Sequence, residues 1–206
     1  MLETPLYPLV LAHILSSDNP CGADNQQERL PSMASLNVKE ISERIGYYLA
    51  GFADGEGSFN LSFRKRKDYS MPWKVSLCFN VSQKDKVILA LYKRHLKCGT
   101  LRSREDGVWY YEVNNFTAIQ ENVIPFFNRF GFLSAKKKRD FAKFKQIAIL
   151  IAGRKHLEKD GIKRILDIRK TMNDGGVGRR KYTDAEILRL VKSEESSETT
   201  RQALTN

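Results

Sequence analysis

The stretch Leu49-Ala50-Gly51-Phe52-Ala53-Asp54-Gly55-Glu56-Gly57 joins two hydrophobic patterns. Before it, Ile41, Ile45, Tyr48, Leu49 and Phe52 recur at three- and four-residue spacing, the period of a helix with one apolar face. After it, Phe59, Leu61 and Phe63 alternate with Asn60, Ser62 and Arg64, the period of a strand with one buried side. Gly55 and Gly57 are expected to stop the helix through a left-handed turn. Ala50, Gly51 and Ala53 are small, so a second helix could lie backbone-close along this face. Glu56 follows the helix C-terminus, where carbonyls lack partners and the macrodipole is negative. That suits a hard divalent cation, which prefers carboxylate, carbonyl and water oxygens. The plainer reading is an ordinary helix end with Asp54 as a turn residue.

Outward from this stretch, the pattern predicts strands at 58–66 and 73–81 with a turn at 68–72. A helix follows at 85–96, with Val87, Leu91 and Leu96 facing inward. Strands at 99–104 and 108–114 flank Asp106-Gly107, a hairpin signal. Helices are expected at 118–130 (broken at Pro125), 135–151, 161–172 and 183–192. Thr183 and Glu186 have capping-box spacing at the start of the last one. Strand pairs alternating with helices predict an α+β fold with an antiparallel sheet. Phe126, Phe127, Phe130 and Phe132 are assigned to its core.

The chain has 206 residues and a formal net charge of +11. Residues 1–40 sum to −3 and residues 193–206 to −2, so residues 41–192 carry +16. We therefore expect three parts: an N-terminal extension at 1–40 with poor order, a domain at 41–192 and an acidic tail at 193–206. The excess charge points to a polyanion, with nucleic acid the leading partner. No apolar run approaches the ~20 residues that span a bilayer. Cys21, Cys78 and Cys98 form neither a disulfide framework nor a zinc pattern, so an intracellular protein, from a bacterial cytoplasm or an organelle, is expected. Gly175-Gly176-Val177-Gly178 lacks the GK[ST] of a nucleotide loop.

The quoted stretch resembles the signature of the LAGLIDADG homing endonucleases: small residues at 50, 51 and 53, then acid, Gly, acid, Gly. Phe79-Asn80-Val81-Ser82-Gln83 and Leu133-Ser134-Ala135-Lys136-Lys137-Lys138 resemble the family as well. The resemblance covers about residues 41–190. It implies an αββαββα core with a saddle-shaped antiparallel sheet, here with extra C-terminal helices. It also implies a DNA endonuclease that uses Mg²⁺ and promotes intron mobility. Glu56 is implied as metal ligand with the Gly55 carbonyl, Gln83 as orienting water, and Lys136 as stabilising charge at the scissile phosphate. A further family basic residue falls at Val87, with Lys86 beside it. One copy of the motif is present, which implies a homodimer through Ala50, Gly51, Ala53 and Asp54, and a pseudo-palindromic site.

Exposed strand faces are where such a protein would read base edges, since a two-stranded ribbon fits the major groove. The candidates are Asn60, Ser62, Arg64 and Arg66, then Lys74, Ser76, Cys78 and Asn80, then Arg102, Arg104, Tyr110, Glu112 and Asn114. Arg179, Arg180 and Lys181 are expected to grip phosphates, which position the protein without reading sequence. The alternatives are an RNA-binding intron maturase or a non-cleaving DNA-binding protein of the same fold. The presence of both Asp54 and Glu56 favours the nuclease.

Overall fold

The computed structural model describes residues 36–66, 71–173 and 180–191. Expectations for residues 1–35, for most of the turn at 68–72, for Arg179 and for the acidic tail lie outside these residues.

Helix α1, Glu43–Glu56, passes straight into strand β1, Gly57–Lys65. The expected left-handed exit does not occur: Gly57 has φ −75° and ψ 152°, ordinary extended backbone. Glycine is required there for space instead. A Cβ on Gly57 would lie 2.7 Å from the Ala53 carbonyl oxygen, closer than non-bonded atoms tolerate.

Strands β2 (Trp73–Gln83), β3 (Thr100–Ser103) and β4 (Trp109–Val113) complete a sheet of order β1-β2-β4-β3. All neighbours are antiparallel. Asp106-Gly107 makes the predicted turn: Gly107 has φ 77°, and the Asp106 carboxylate accepts from the Val108 N–H at 3.1 Å. Helix α2, Lys86–Leu96, separates the two hairpins. Its inward residues are Ile88, Leu89, Tyr92 and Leu96, one position out of phase with the expected Val87 and Leu91. The Asp85 carboxylate caps the helix on the Val87 N–H at 2.8 Å and so sets that phase. The buried Tyr92 hydroxyl donates to the Leu49 carbonyl, tying α2 to α1.

The third helix, α3, is continuous where a break was expected. It joins Phe116–Ala118, a π-helical stretch Ile119–Val123, and Ile124–Phe130. Pro125 removes a donor and crowds the preceding turn; the wider π turn before it leaves room for the ring. Helices α4 (Ala135–Ala152) and α5 (Lys159–Lys170) follow, then α6 at 184–191. Thr183 and Glu186 form the capping box, with the Glu186 carboxylate accepting from the Thr183 N–H at 2.7 Å.

Helices cover one face of the sheet, and aromatic rings fill the layer between. Phe59 lies 5.2 Å from Phe79 and 4.9 Å from Phe144, centroid to centroid. Phe126, Phe127, Phe130 and Phe132 are buried as expected. Such rings contribute roughly 1.5–3 kcal/mol each by burial alone. Residues 36–40, grouped with the extension by composition, pack on this fold: Leu36 is buried and Arg129 donates to the Val38 carbonyl at 2.6 Å. The C-terminal helix docks on the β1–β2 hairpin, where the buried Trp73 indole donates to the Ile187 carbonyl at 3.1 Å. The other face of the sheet carries no helix packed on it among the described residues, and it is this face that positions the candidate interface.

Candidate nucleic-acid interface and active site

Asp54 binds the end of α1 to the start of α4. Its carboxylate accepts from the Leu133 N–H at 3.0 Å, the Ser134 N–H at 2.9 Å and the Ser134 hydroxyl. Ser134 in turn caps α4, accepting from the Lys137 N–H at 3.2 Å. Partial burial pushes the Asp54 carboxyl up. The Ser134 and Leu133 bonds and the Lys137 charge outweigh this and hold it below the ordinary carboxylate range. An anion here also meets the positive N-terminus of α4.

The result is a corner where the acids of α1 face the lysines of α4. Lys137 is half-buried, and its ammonium donates to the Gly57 carbonyl. Burial lowers its pKa, against the opposing pull of Asp54, Asp140 and Glu56. Lys136, one residue earlier on the same turn, is exposed. Glu56 and Gly55 are exposed at the same corner. Gly57 pairs with Val81, and β2 continues two residues past that pair to Gln83. Gln83 is therefore carried alongside the α1–β1 junction, with its Oε1 accepting from the Lys84 N–H at 2.8 Å. Val87 has no side-chain chemistry to offer, and the Lys86 ammonium lies 4.4 Å from the Trp109 ring centroid.

The open face of the sheet presents the expected polar side chains in cross-strand rows. Asn60 pairs with Cys78, Ser62 with Ser76, and Arg64 with Lys74. Asn80 pairs with Glu112, and Arg102 with Tyr110. Just past β3, the Arg104 guanidinium lies 4.0 Å from the Tyr110 ring centroid. Arg66, just past β1, lines an open cavity of about 750 Å³ with Lys74 and Arg154.

A sequence model described as LAGLIDADG endonuclease matches residues 49–148, the span from the α1 motif through most of α4. The chain belongs to the LAGLIDADG endonuclease family. It is similar to "Probable intron-encoded endonuclease 2" of Neurospora crassa, 30% identical over 132 residues, which are 62% of this chain and 29% of that one. It is also similar to "DNA endonuclease I-CeuI" of Chlamydomonas moewusii, 27% identical over 133 residues, 62% of this chain and 61% of that one. Among solved structures it resembles the archaeal intron-encoded homing endonuclease I-Vdi141I complexed with DNA. There the identity is 27% and the TM-score 0.66, covering 74% of this chain and 96% of that one. The chain spans only 29% and 24% of two Neurospora crassa relatives.

Within the LAGLIDADG frame, the residues named for dimer contact divide. Ala50 and Ala53 are 2% and 0% exposed, facing this chain's own core, and Asp54 is committed to α4. Gly51 alone of the four lies on the outer face, in a stripe with Arg44, Tyr48 and Gly55. A Cβ on Gly51 or Gly55 would meet nothing within 4 Å. The backbone of α1 is thus bare on this side for reasons internal packing does not supply. Tyr48, 56% exposed, flanks it.

Arg180 donates to the Arg169 carbonyl at 2.6 Å and lies 4.0 Å from Asp184, so it braces α6. Lys181 remains exposed, 5.6 Å from the Tyr182 ring centroid. Sequence reasoning missed Asn173, which donates to the Phe59 carbonyl at 2.8 Å and to Asn60 Oδ1 at 3.4 Å while its own N–H reaches Asp140. No local pattern marks that contact, because its partners lie 33 and 114 residues away. Lys137 and the Asp54–Ser134 latch were also missed, although a serine opening a basic amphipathic helix is an N-cap signal.

Among the described residues no group of three or more His, Cys, Asp or Glu could hold a metal. One chain brings the exposed Glu56 carboxylate and the Gly55 backbone to the corner. Carboxylate and carbonyl oxygens are the donors that a hard divalent cation takes.

Proposed function

We propose that the protein is a site-specific homing endonuclease that acts as a homodimer and cuts both strands of a pseudo-palindromic DNA duplex. The observation that carries this reading is the corner itself: exposed Glu56 beside the α4 lysines, bordering an open, basic sheet face. Two α1 helices meeting along Tyr48, Gly51 and Gly55 would bring two such corners together, one per strand. Symmetry then requires related half-sites.

Hydrolysis of a phosphodiester needs an oriented water, neutral surroundings for the extra charge on phosphorus, and a stabilised leaving 3′ oxygen. Bound Mg²⁺ would supply Lewis acidity and a more acidic water. Glu56 and the Gly55 carbonyl are the residues that would hold it. Gln83 orients the attacking water through its amide. Lys136 places its ammonium at the phosphate and stabilises the charge that develops there. Lys137 fixes the α1–β1 junction through Gly57 and so positions Glu56.

The test is cleavage of a duplex carrying the intron-free host sequence, by wild type and by Glu56→Gln, with gel retardation run in parallel. Retained binding with lost Mg²⁺-dependent cutting supports the reading. Cutting by the variant at the wild-type rate defeats it.

A further inference from the structure

On the open sheet face one side chain has the wrong sign. Among the described residues of that face, Glu112 is the single acid, set among Arg64, Lys74, Arg102 and the polar row of β2. Its position is central: β4 lies inside the sheet, with Asn80 of β2 opposite on one side and Thr100 of β3 on the other. The carboxylate is also held. Asn114 donates to Glu112 Oε1 at 3.0 Å, and the Cys78 thiol, pushed up to about 12 by burial and by the Glu112 charge, hydrogen-bonds to it from β2. These two bonds favour a position in the path of a polyanion lying on the sheet.

We infer that Glu112 is a base-specifying residue that selects cytosine at one position in each half of the DNA site. The inference rests on the DNA-cleaving reading above. A carboxylate pressed into a major groove loses water and faces phosphates, which costs free energy unless an N–H replaces the water. In that groove only cytosine and adenine present amino donors. Adenine sets its N7 acceptor beside the amino group, and guanine and thymine offer acceptors that repel the carboxylate. Cytosine N4 is the remaining match. Glu112 thus works mainly by rejection: a wrong base strips water from the carboxylate and returns no donor in its place, the kind of penalty that separates one site from its near neighbours.

The experiment uses the full chain to enrich a randomised duplex pool, wild type against Glu112→Gln and Glu112→Ala. Wild type should enrich a consensus with cytosine at one position per half. Glutamine offers one donor and one acceptor, the pair adenine matches, so E112Q should move that position alone from cytosine to adenine. E112A should leave it without preference. The discrimination at stake is roughly 10- to 100-fold at that base pair. A consensus identical for all three proteins overturns the assignment of Glu112 and leaves the endonuclease reading standing. Failure of the wild type to enrich any duplex overturns the DNA reading, and Glu112's role with it.

Discussion

The corner between α1 and α4 and the open face of the sheet are made of similar residues under opposite constraints. At the corner, one carboxylate, Asp54, takes three hydrogen bonds from two residues, and Lys137 closes the loop on Gly57. On the sheet face, Ser62 holds only a 3.5 Å bond to the Ser76 carbonyl, and Arg64 and Lys74 are exposed. The corner needs a fixed geometry, because chemistry tolerates little misplacement. The sheet face needs a rigid backbone beneath side chains that can be exchanged. Ladder pairing supplies that rigidity whatever side chains project outward, so under the proposed function a new target sequence would be met without disturbing the corner assigned to cutting.

The sharpest way to break this contrast is at the corner. Glu56→Gln should reduce cutting by about 1,000-fold, the upper range for losing one group that acts on transition-state charge, measured as single-turnover cleavage, with thermal unfolding unchanged. Asp54→Ala should do something different. It removes the latch, hands the exposed Leu133 and Ser134 donors to water, and should lower stability by about 1 kcal/mol in urea unfolding, with a loss of DNA cleavage as well. The pH dependence follows from the same latch. Asp54 titrates lower in the fold than in the unfolded chain, so its contribution is full above the ordinary aspartate range near 3.8 and is lost as pH falls below it. Urea midpoints for Asp54→Asn should therefore fall less steeply in acid than those of the wild type. A parallel fall would place the acid sensitivity elsewhere.

Much of the fold was legible because it is written locally. Alternation at 73–81 and the Asp106-Gly107 turn each need only a few neighbouring residues to be read. The phase of α2 was misread because it is decided by the Asp85 cap and by Tyr92 reaching Leu49, not by the apolar count. The same limit divided Ala50 and Ala53 from Gly51. Size alone marks all three as close-packing, and only the third dimension shows that two pack inward and one outward. At the candidate site, Glu56 was legible from its place at the helix end, Gln83 and Lys136 came from resemblance, and the chain path brings the three to one region. Lys137, Asn173 and the inward turn of Arg180 depend on partners 80, 114 and 11 residues away. No spacing rule encodes such pairs.

A fourth prediction moves to the outer face of α1. Gly51→Phe adds a large ring at a position whose Cβ would meet nothing of this chain within 4 Å. The folded protomer should keep its stability, or gain up to about 1 kcal/mol from replacing a mid-helix glycine. Light scattering should report a monomer, and cutting of both strands should fail. An intact dimer would separate the α1 face from assembly and break the proposed pairing of corners.

The smallest expected effect belongs to the sheet, and it is the most telling for the comparison. Ser76→Ala removes one hydroxyl from the middle of the open face, while the Ser76 carbonyl keeps its bond from the Ser62 hydroxyl. Stability should change by no more than about 0.5 kcal/mol, the range for surface substitutions away from special features. Cutting of the preferred duplex should fall only slightly, while the base preference opposite Ser76 relaxes in a selection from randomised DNA. If this change instead cost stability on the scale of Asp54→Ala, the face would be part of the scaffold. The separation between a fixed corner and an exchangeable reading surface would then be lost. If it relaxes sequence preference at unchanged stability, the two regions differ as argued: the corner is held by side-chain bonds between elements, and the face at Ser76 by the ladder beneath it.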